Sequence, residues 1–318
     1  MPSNLFIEKI GRMLQKAGYE VANHLAPRSC FDIAARKEES LLLLKVLANV
    51  DGVKDEQGRE LRLLAKLLSA TPLIVGERTR KSEILDGVVY GRCGIPTINV
   101  STLKRFIFED VYPVVLAKRG GLYLKINGEA LRRAREERGF SLGNLAERVG
   151  VSRKAIYEYE RNMMDVTLET AVRIEEELDA DVIMPIDFTS WESIYGFEEE
   201  KLPTLQECED ELEGEICKAL SELGFKVIIA KKAPFNALTA DQKEEYIVVT
   251  GVGRAHEKTV ERRIKTLERV SRVVRKWAMF VLDKERDVRE ARVPVLSKEE
   301  IESMEEPEDL LKKIQAVN

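Results

Sequence analysis

Between Gly128 and Asp187 the chain spaces its glycines, serines and apolar residues in a way that leaves little choice of local fold. Leu131 and Ala134 mark the inner side of a first helix. Gly139 halts it, because a residue without Cβ enters the left-handed conformation at little cost. Ser141 then stands where an N-cap is needed, ahead of Leu145, Ala146 and Val149 at helical spacing. Gly150 ends that second helix, Val151 plugs the corner, and Ser152 caps a third helix with Ile156 and Tyr159 facing inward. Thr167 opens a further helix whose expected buried face is Leu168, Ala171, Val172 and Leu178. Two short helices joined by a glycine turn result, which is a helix-turn-helix.

On the second helix of that pair, Arg153, Lys154, Tyr157 and Glu158 point away from the core. The two cations fall in its first turn, where such a helix meets base edges and phosphates of double-stranded DNA. In its order of apolar, glycine and capping positions, over about sixty residues, the block resembles the lambda-repressor/Cro family of helix-turn-helix domains. The resemblance implies a DNA-binding motif from Leu142 to Arg161. It places Ser141, Ser152 and Arg161 near phosphates and makes Arg135 and Glu160 a structural ion pair that braces the fold. The pattern departs from the family at Leu142, where a Gln that bonds the DNA backbone or a base is common. The competing expectation is a helix-turn-helix used as a protein-binding adaptor of the transcription machinery.

Charge narrows how such a motif works. From Arg132 to Arg161 there are eight Lys or Arg and five Asp or Glu, while the next helix and its exit carry Glu175, Glu176, Glu177, Asp179 and Asp181. The whole chain has a formal charge of −5. Affinity for DNA is largely electrostatic, so an acidic total disfavours indiscriminate binding and points to a local basic face.

At 318 residues, 44% of them hydrophobic, the chain has room for two or three domains with cores of their own. A repeat flanks the helix-turn-helix. FIEKIGRMLQKAGYEV is followed by Ala-Pro, a strand pair ending in LLLLKVL, a helix and the strand TPLIVGER. After the central block come EICKALSELGFKVIIA, Ala-Pro, YIVVTGV, a basic helix over Glu257 to Lys276, and WAMFVLD. Continuous apolar strands of this kind lie in sheets covered by helices on both faces.

The first copy resembles the restriction-endonuclease-like nuclease core, most closely that of archaeal Holliday-junction resolvases, with Glu8, Asp32 and Lys45 in matching places. That chemistry needs carboxylates to hold Mg²⁺, and the acid expected two residues before the Lys is Leu43. In the second copy Thr250 is the residue matched to Lys45, and no Asp lies near Asn236 or Ala237. Glu8, Asp32 and Lys45 are therefore expected to be vestigial, with no catalytic residues, no metal and no cofactor. A structure-specific Mg²⁺-dependent nuclease is the alternative function.

The expected architecture is α/β plus all-α: a central five-helix lambda-repressor-like domain between two repeated restriction-endonuclease-like domains. The boundaries fall at 1–121, 122–188 and 189–318, the last including an acidic stretch, Trp191 to Glu215, with ten acids against one Lys. Four cysteines without C-x-x-C spacing and two histidines disfavour structural zinc and disulfides and suit a reducing cytoplasm. No apolar run has the length of a membrane span. The chain as a whole resembles an archaeal group of helix-turn-helix transcriptional regulators in which such a reader is flanked by nuclease-like domains. That resemblance implies a non-enzymatic regulator of double-stranded DNA, acting as a homodimer.

Overall fold

The computed structural model describes residues 4–23, 25, 29–195, 208, 210–243, 245–288 and 290–317. Part of the acidic stretch between Trp191 and Glu215, and the first Ala-Pro pair at 26–27, lie outside the described residues. The chain forms two compact units. One comprises Leu47–Val53 and Leu73–Phe197, the other Pro2–Val46, Lys54–Pro72 and Glu198–Asn318.

The chain enters the second of these units with α1 (Asn4–Lys16), which buries Ile7, Ile10 and Leu14 at helical spacing. Next come β1 (Glu20–Asn23), β2 (Ile33–Lys37) and β3 (Ser40–Asn49). β1 and β2 are antiparallel, with Val21 opposite Ala35, and β2 and β3 are antiparallel, with Ile33 opposite Leu44. Every residue from Leu41 to Val46 is buried, as the continuous apolar run requires of a strand covered on both faces. α2 (Asp55–Leu67) follows, and Ser69 beyond it turns the chain with φ 51°.

The first unit contains a mixed sheet. β4 (Thr71–Arg78) runs parallel to β6 (Ile95–Ile98), which is antiparallel to β5 (Val88–Arg92). After α3 (Val100–Glu109), capped by Asn99, β7 (Val115–Lys118) lies parallel to β5 and forms a hairpin with β8 (Gly121–Ile126). The helical block then unfolds in order as α4 (Gly128–Glu137), α5 (Leu142–Val149), α6 (Arg153–Glu160), β9 (Val166–Thr167), α7 (Leu168–Leu178) and β10 (Ile183–Met184). Both β9 and β10 pair with β8, so the block is anchored on a strand. A short α8 (Trp191–Tyr195) follows.

Two expectations for this block are corrected. The span 122–188 holds four helices, not five. Asp179 takes φ 49° and ends α7, and Ile183–Met184 ahead of Pro185 become strand β10, pairing with β8. The buried face of α7 is Ala171, Ile174 and Leu178, whereas Leu168 and Val172 are 39% and 44% exposed. These two residues form their own i, i+4 stripe, rotated off the line that meets α5.

The second unit resumes with α9 (Glu211–Glu222), β11 (Lys226–Ile229), β12 (Ala237–Ala240), β13 (Ile247–Gly253), α10 (Val260–Val274), β14 (Trp277–Leu282), β15 (Val295–Ser297), α11 (Lys298–Glu302) and α12 (Pro307–Gln315). The sheet order is β11-β12-β13-β14-β15, antiparallel through β13 and parallel thereafter. α10 begins three residues later than the basic pattern suggests, because Arg254 to Glu257 form a turn in which the Glu257 N–H donates to the Arg254 carbonyl. The buried Arg36 of β2 donates to the Val273 and Val274 carbonyls at 2.7 and 3.2 Å, satisfying acceptors that the end of α10 leaves open. Among the described residues, no helix is long and apolar enough to cross a membrane.

Candidate nucleic-acid interface

The geometry of α5 and α6 follows from their caps. Ser141 Oγ accepts from the Asn144 N–H at 3.1 Å while Asn144 Oδ1 accepts from the Ser141 N–H, a reciprocal capping box. Gly150 sits at φ 80°, ψ 35°, and both its own N–H and that of Val151 reach the Ala146 carbonyl at 2.9 Å. Ser152 Oγ then accepts from the Ala155 N–H at 3.1 Å. The corner between the helices is closed in one turn, and Leu145, Val149, Ile156 and Tyr159 share one core.

That packing leaves one side of α6 outward. Arg153 and Lys154 are exposed, and the Arg153 guanidinium has no partner among the described residues. Lys154 Nζ lies 3.6 Å from Glu158, with the lysine side chain 82% exposed. Tyr157 is 44% exposed, and the Arg161 guanidinium stacks on its ring at 4.5 Å. Arg153 and Lys154 of α6 thus remain exposed on an outward face, with Tyr157 under the Arg161 that caps the helix. Leu142 is half-buried against the core and offers no polar group to this face.

Behind the face, Arg135 and Glu160 form a bidentate pair, Nε to Oε1 at 2.5 Å and Nη2 to Oε2 at 3.1 Å. Arg135 Nη1 also donates to the Phe140 carbonyl at 2.8 Å, and the Glu160 hydrogen bond raises the pKa of the guanidinium. Gly128 makes the close contact that completes the brace. A Cβ there would stand 2.4 Å from the Glu160 carbonyl oxygen.

The three nuclease-like positions fare differently. Glu8 pairs with Arg12 on the surface of α1 at 3.5 Å. Asp32 and Lys45 do come together, with Nζ 3.2 Å from Oδ1 and 2.6 Å from the Ser29 carbonyl, while Asp32 Oδ2 accepts from the Val46 N–H at 2.8 Å. Burial raises the Asp32 pKa against the pull of Lys45. These residues do not fit Mg²⁺. Both oxygens of the single carboxylate are taken, the buried Leu43 supplies none, and the buried Ser29 hydroxyl brings no charge. Among the described residues, no three His, Cys, Asp or Glu side chains gather as a metal-holding group.

In the later sheet Asn236 does what Asp32 does: its N–H donates to the Thr250 carbonyl, and its Oδ1 accepts from the Val252 N–H at 2.8 Å. Since the Asp32 N–H donates to the Leu44 carbonyl, Gly251 holds the place of Lys45 in this register, one residue on from the Thr250 of the sequence match. A further group escaped the sequence. Glu60 on α2 accepts from the Lys232 N–H at 2.6 Å, and the Lys232 carbonyl accepts from the Cys30 N–H at 2.5 Å. Burial pushes the Glu60 pKa up to about 7. Its partner is 172 residues away, so no local pattern announces it.

Comparison with known proteins bears on both regions. A family described as PD-(D/E)XK superfamily domain matches residues 3–113, and one described as Helix-turn-helix matches residues 131–182. Proteins named HTH-type transcriptional regulatory protein are similar over nearly the whole chain. That of Thermococcus gammatolerans is 38% identical, covering 100% of this chain and 98% of its own. That of Archaeoglobus fulgidus is 38% identical (96% and 95%), and that of Pyrococcus furiosus 35% (95% and 94%).

Proposed function

Because the chain belongs to the family of archaeal HTH-type transcriptional regulatory proteins, we propose that it is a transcriptional regulator that reads duplex DNA with α6. The observation that carries this is the outward face of α6, whose first turn presents Arg153 and Lys154 beside Tyr157 while Ile156 and Tyr159 hold the helix to the core. Arg153 and Lys154 take bases or phosphates, Ser141, Ser152 and Arg161 lie by the backbone, and Arg135 with Glu160 keeps the helices in place. Glu158 trims the charge of Lys154 and biases the face toward particular bases.

The PD-(D/E)XK-like region acts in this account as scaffold and performs no cleavage. The run α9-β11-β12-β13-α10-β14 repeats the order α1-β1-β2-β3-α2-β4, and the matching roles of Asp32 and Asn236 support a shared origin. The functional division is then 1–121, 122–188 and 189–318, the outer two being the repeated α/β parts. A homodimer completes the reader, since paired half-sites about 34 Å apart suit a two-fold protein. The exposed Leu168 and Val172 are apolar surface of the kind a second copy covers.

Selection of bound duplexes from a random pool tests the proposal. Enrichment of an inverted repeat supports a dimeric reader, and the absence of any enriched sequence contradicts it.

A further inference from the structure

Within the second unit a cleft of about 560 Å³ opens between the start of α9, the β11–β12 connection and the first turns of α10. That volume lies in the range of small-molecule sites. Ile229 and Phe235 form part of its apolar wall, and both are nearly fully buried.

The polar lining is cationic. Lys231, Lys232, Arg262 and Arg263 line it together with the carboxylates of Asp210 and Glu213, while Lys232 Nζ also lies 3.9 Å from Glu56 and Arg263 Nη1 3.5 Å from Glu257. Both carboxylates are engaged. Asp210 takes both Nη atoms of Arg254 at 2.9 and 3.1 Å, and Glu213 accepts from Asn236 Nδ2 at 3.1 Å. Arg263 is built into the wall, donating to the Val252 carbonyl at 2.6 Å and to Asn236 Oδ1 at 3.1 Å. The Arg262 guanidinium, one position earlier and exposed, has no partner among the described residues. Thr259 makes no side-chain cap to α10, which leaves the positive end of that helix toward the cleft.

The earlier half of the chain shows that this charge belongs to the site and not to the fold. Val46 and Val252 play the same role toward Asp32 and Asn236, and Ser69 and Arg275 are the left-handed residues closing α2 and α10. At that register Glu56, Gln57 and Glu60 hold the places of Arg262, Arg263 and Thr266. Gln57, like Arg263, reaches back to the segment ahead of its hairpin, donating to the Ser29 carbonyl at 3.3 Å. One position of the fold is acidic and filled by Lys232; its counterpart is basic and open.

We propose that this cleft binds a small organic phosphate of nucleotide size, its phosphate on Arg262 in the first turn of α10 and its apolar body against the half-buried Ala233 and Pro234. A planar guanidinium suits phosphate oxygens in bidentate fashion, and a cation beside a helix N-terminus favours an anion. The inference does not rest on α6 reading DNA.

Isothermal titration calorimetry of the full chain with AMP, and separately with inorganic phosphate, tests it. AMP is expected to bind, phosphate alone to bind more weakly, and Arg262→Glu to weaken AMP by at least about tenfold with an unchanged unfolding temperature. No heat from AMP at millimolar concentration overturns the proposal, as does equal AMP affinity in Arg262→Glu. If AMP fails to bind but Arg262→Glu weakens non-specific duplex binding, the cleft holds a DNA backbone phosphate and the small-molecule assignment is wrong.

Discussion

Arg135 at the end of α4 and Glu160 at the end of α6 bind each other through two hydrogen bonds, with side chains only 10% and 9% exposed. A pair this buried has already lost its water, so removing one partner strands the other. Glu160→Gln or Arg135→Met is expected to cost about 3–5 kcal/mol in denaturant unfolding. The double replacement Arg135→Met with Glu160→Met should cost less than the sum, since neither charge is then left alone. Additive losses would mean that the two residues act separately.

Gly128 offers a second probe of the same brace. A methyl group there meets the backbone of Tyr159 and Glu160 at 2.4–2.7 Å, and backbone cannot swing aside as a side-chain tip can. Gly128→Ala should therefore destabilise by about 1–3 kcal/mol, read as a lowered thermal midpoint. Gly143→Ala, whose new Cβ finds only Ser141 Oγ at 3.8 Å, should leave the midpoint nearly unchanged.

Much of this block was legible because its signals are local. Caps, left-handed glycines and i, i+3, i+4 stripes act within a turn or two, so Ser141, Gly150 and Ser152 announce themselves. Leu168 and Val172 misled because an apolar stripe states that a face exists and not what covers it. β10 was missed because two residues beside β8 carry no periodicity of their own. The approach of Glu60 to Lys232 and the Gly251 register depend on pairings made far along the chain, which no window of sequence contains.

Glu60 carries a pH prediction. Its pKa rises from 4.5 to about 7 in the folded protein, so between those values the folded state binds more protons than the unfolded. Stability from this group is full below about pH 4.5 and is lost as pH rises through about 7, by at most about 3 kcal/mol. Glu60→Gln keeps an oxygen for the Lys232 N–H without the charge. It should flatten the fall in unfolding midpoint over that window and raise the midpoint at pH 8. An unchanged pH profile would remove Glu60 as the cause.

Asp32 should behave as a structural residue. Asn236 already performs the same backbone capture with an amide, so Asp32→Asn should be milder than Asp32→Ala, which leaves the Val46 N–H and Lys45 short of an acceptor at a cost of about 1–3 kcal/mol. Branched and linear duplexes incubated with the wild-type protein and Mg²⁺ should stay intact. Cleavage that Asp32→Asn abolishes would restore the nuclease alternative.

The most direct test of the central claim is duplex affinity of Arg153→Ala with Lys154→Ala, measured by mobility shift on the selected sequence and on a scrambled one across a salt series. Wild type should prefer the selected duplex by at least about 10³-fold, and the double variant, folded by circular dichroism, should lose about a hundredfold or more with a shallower salt slope. Equal binding of wild type and variant, or equal binding of the two duplexes by wild type, would contradict a DNA-reading α6.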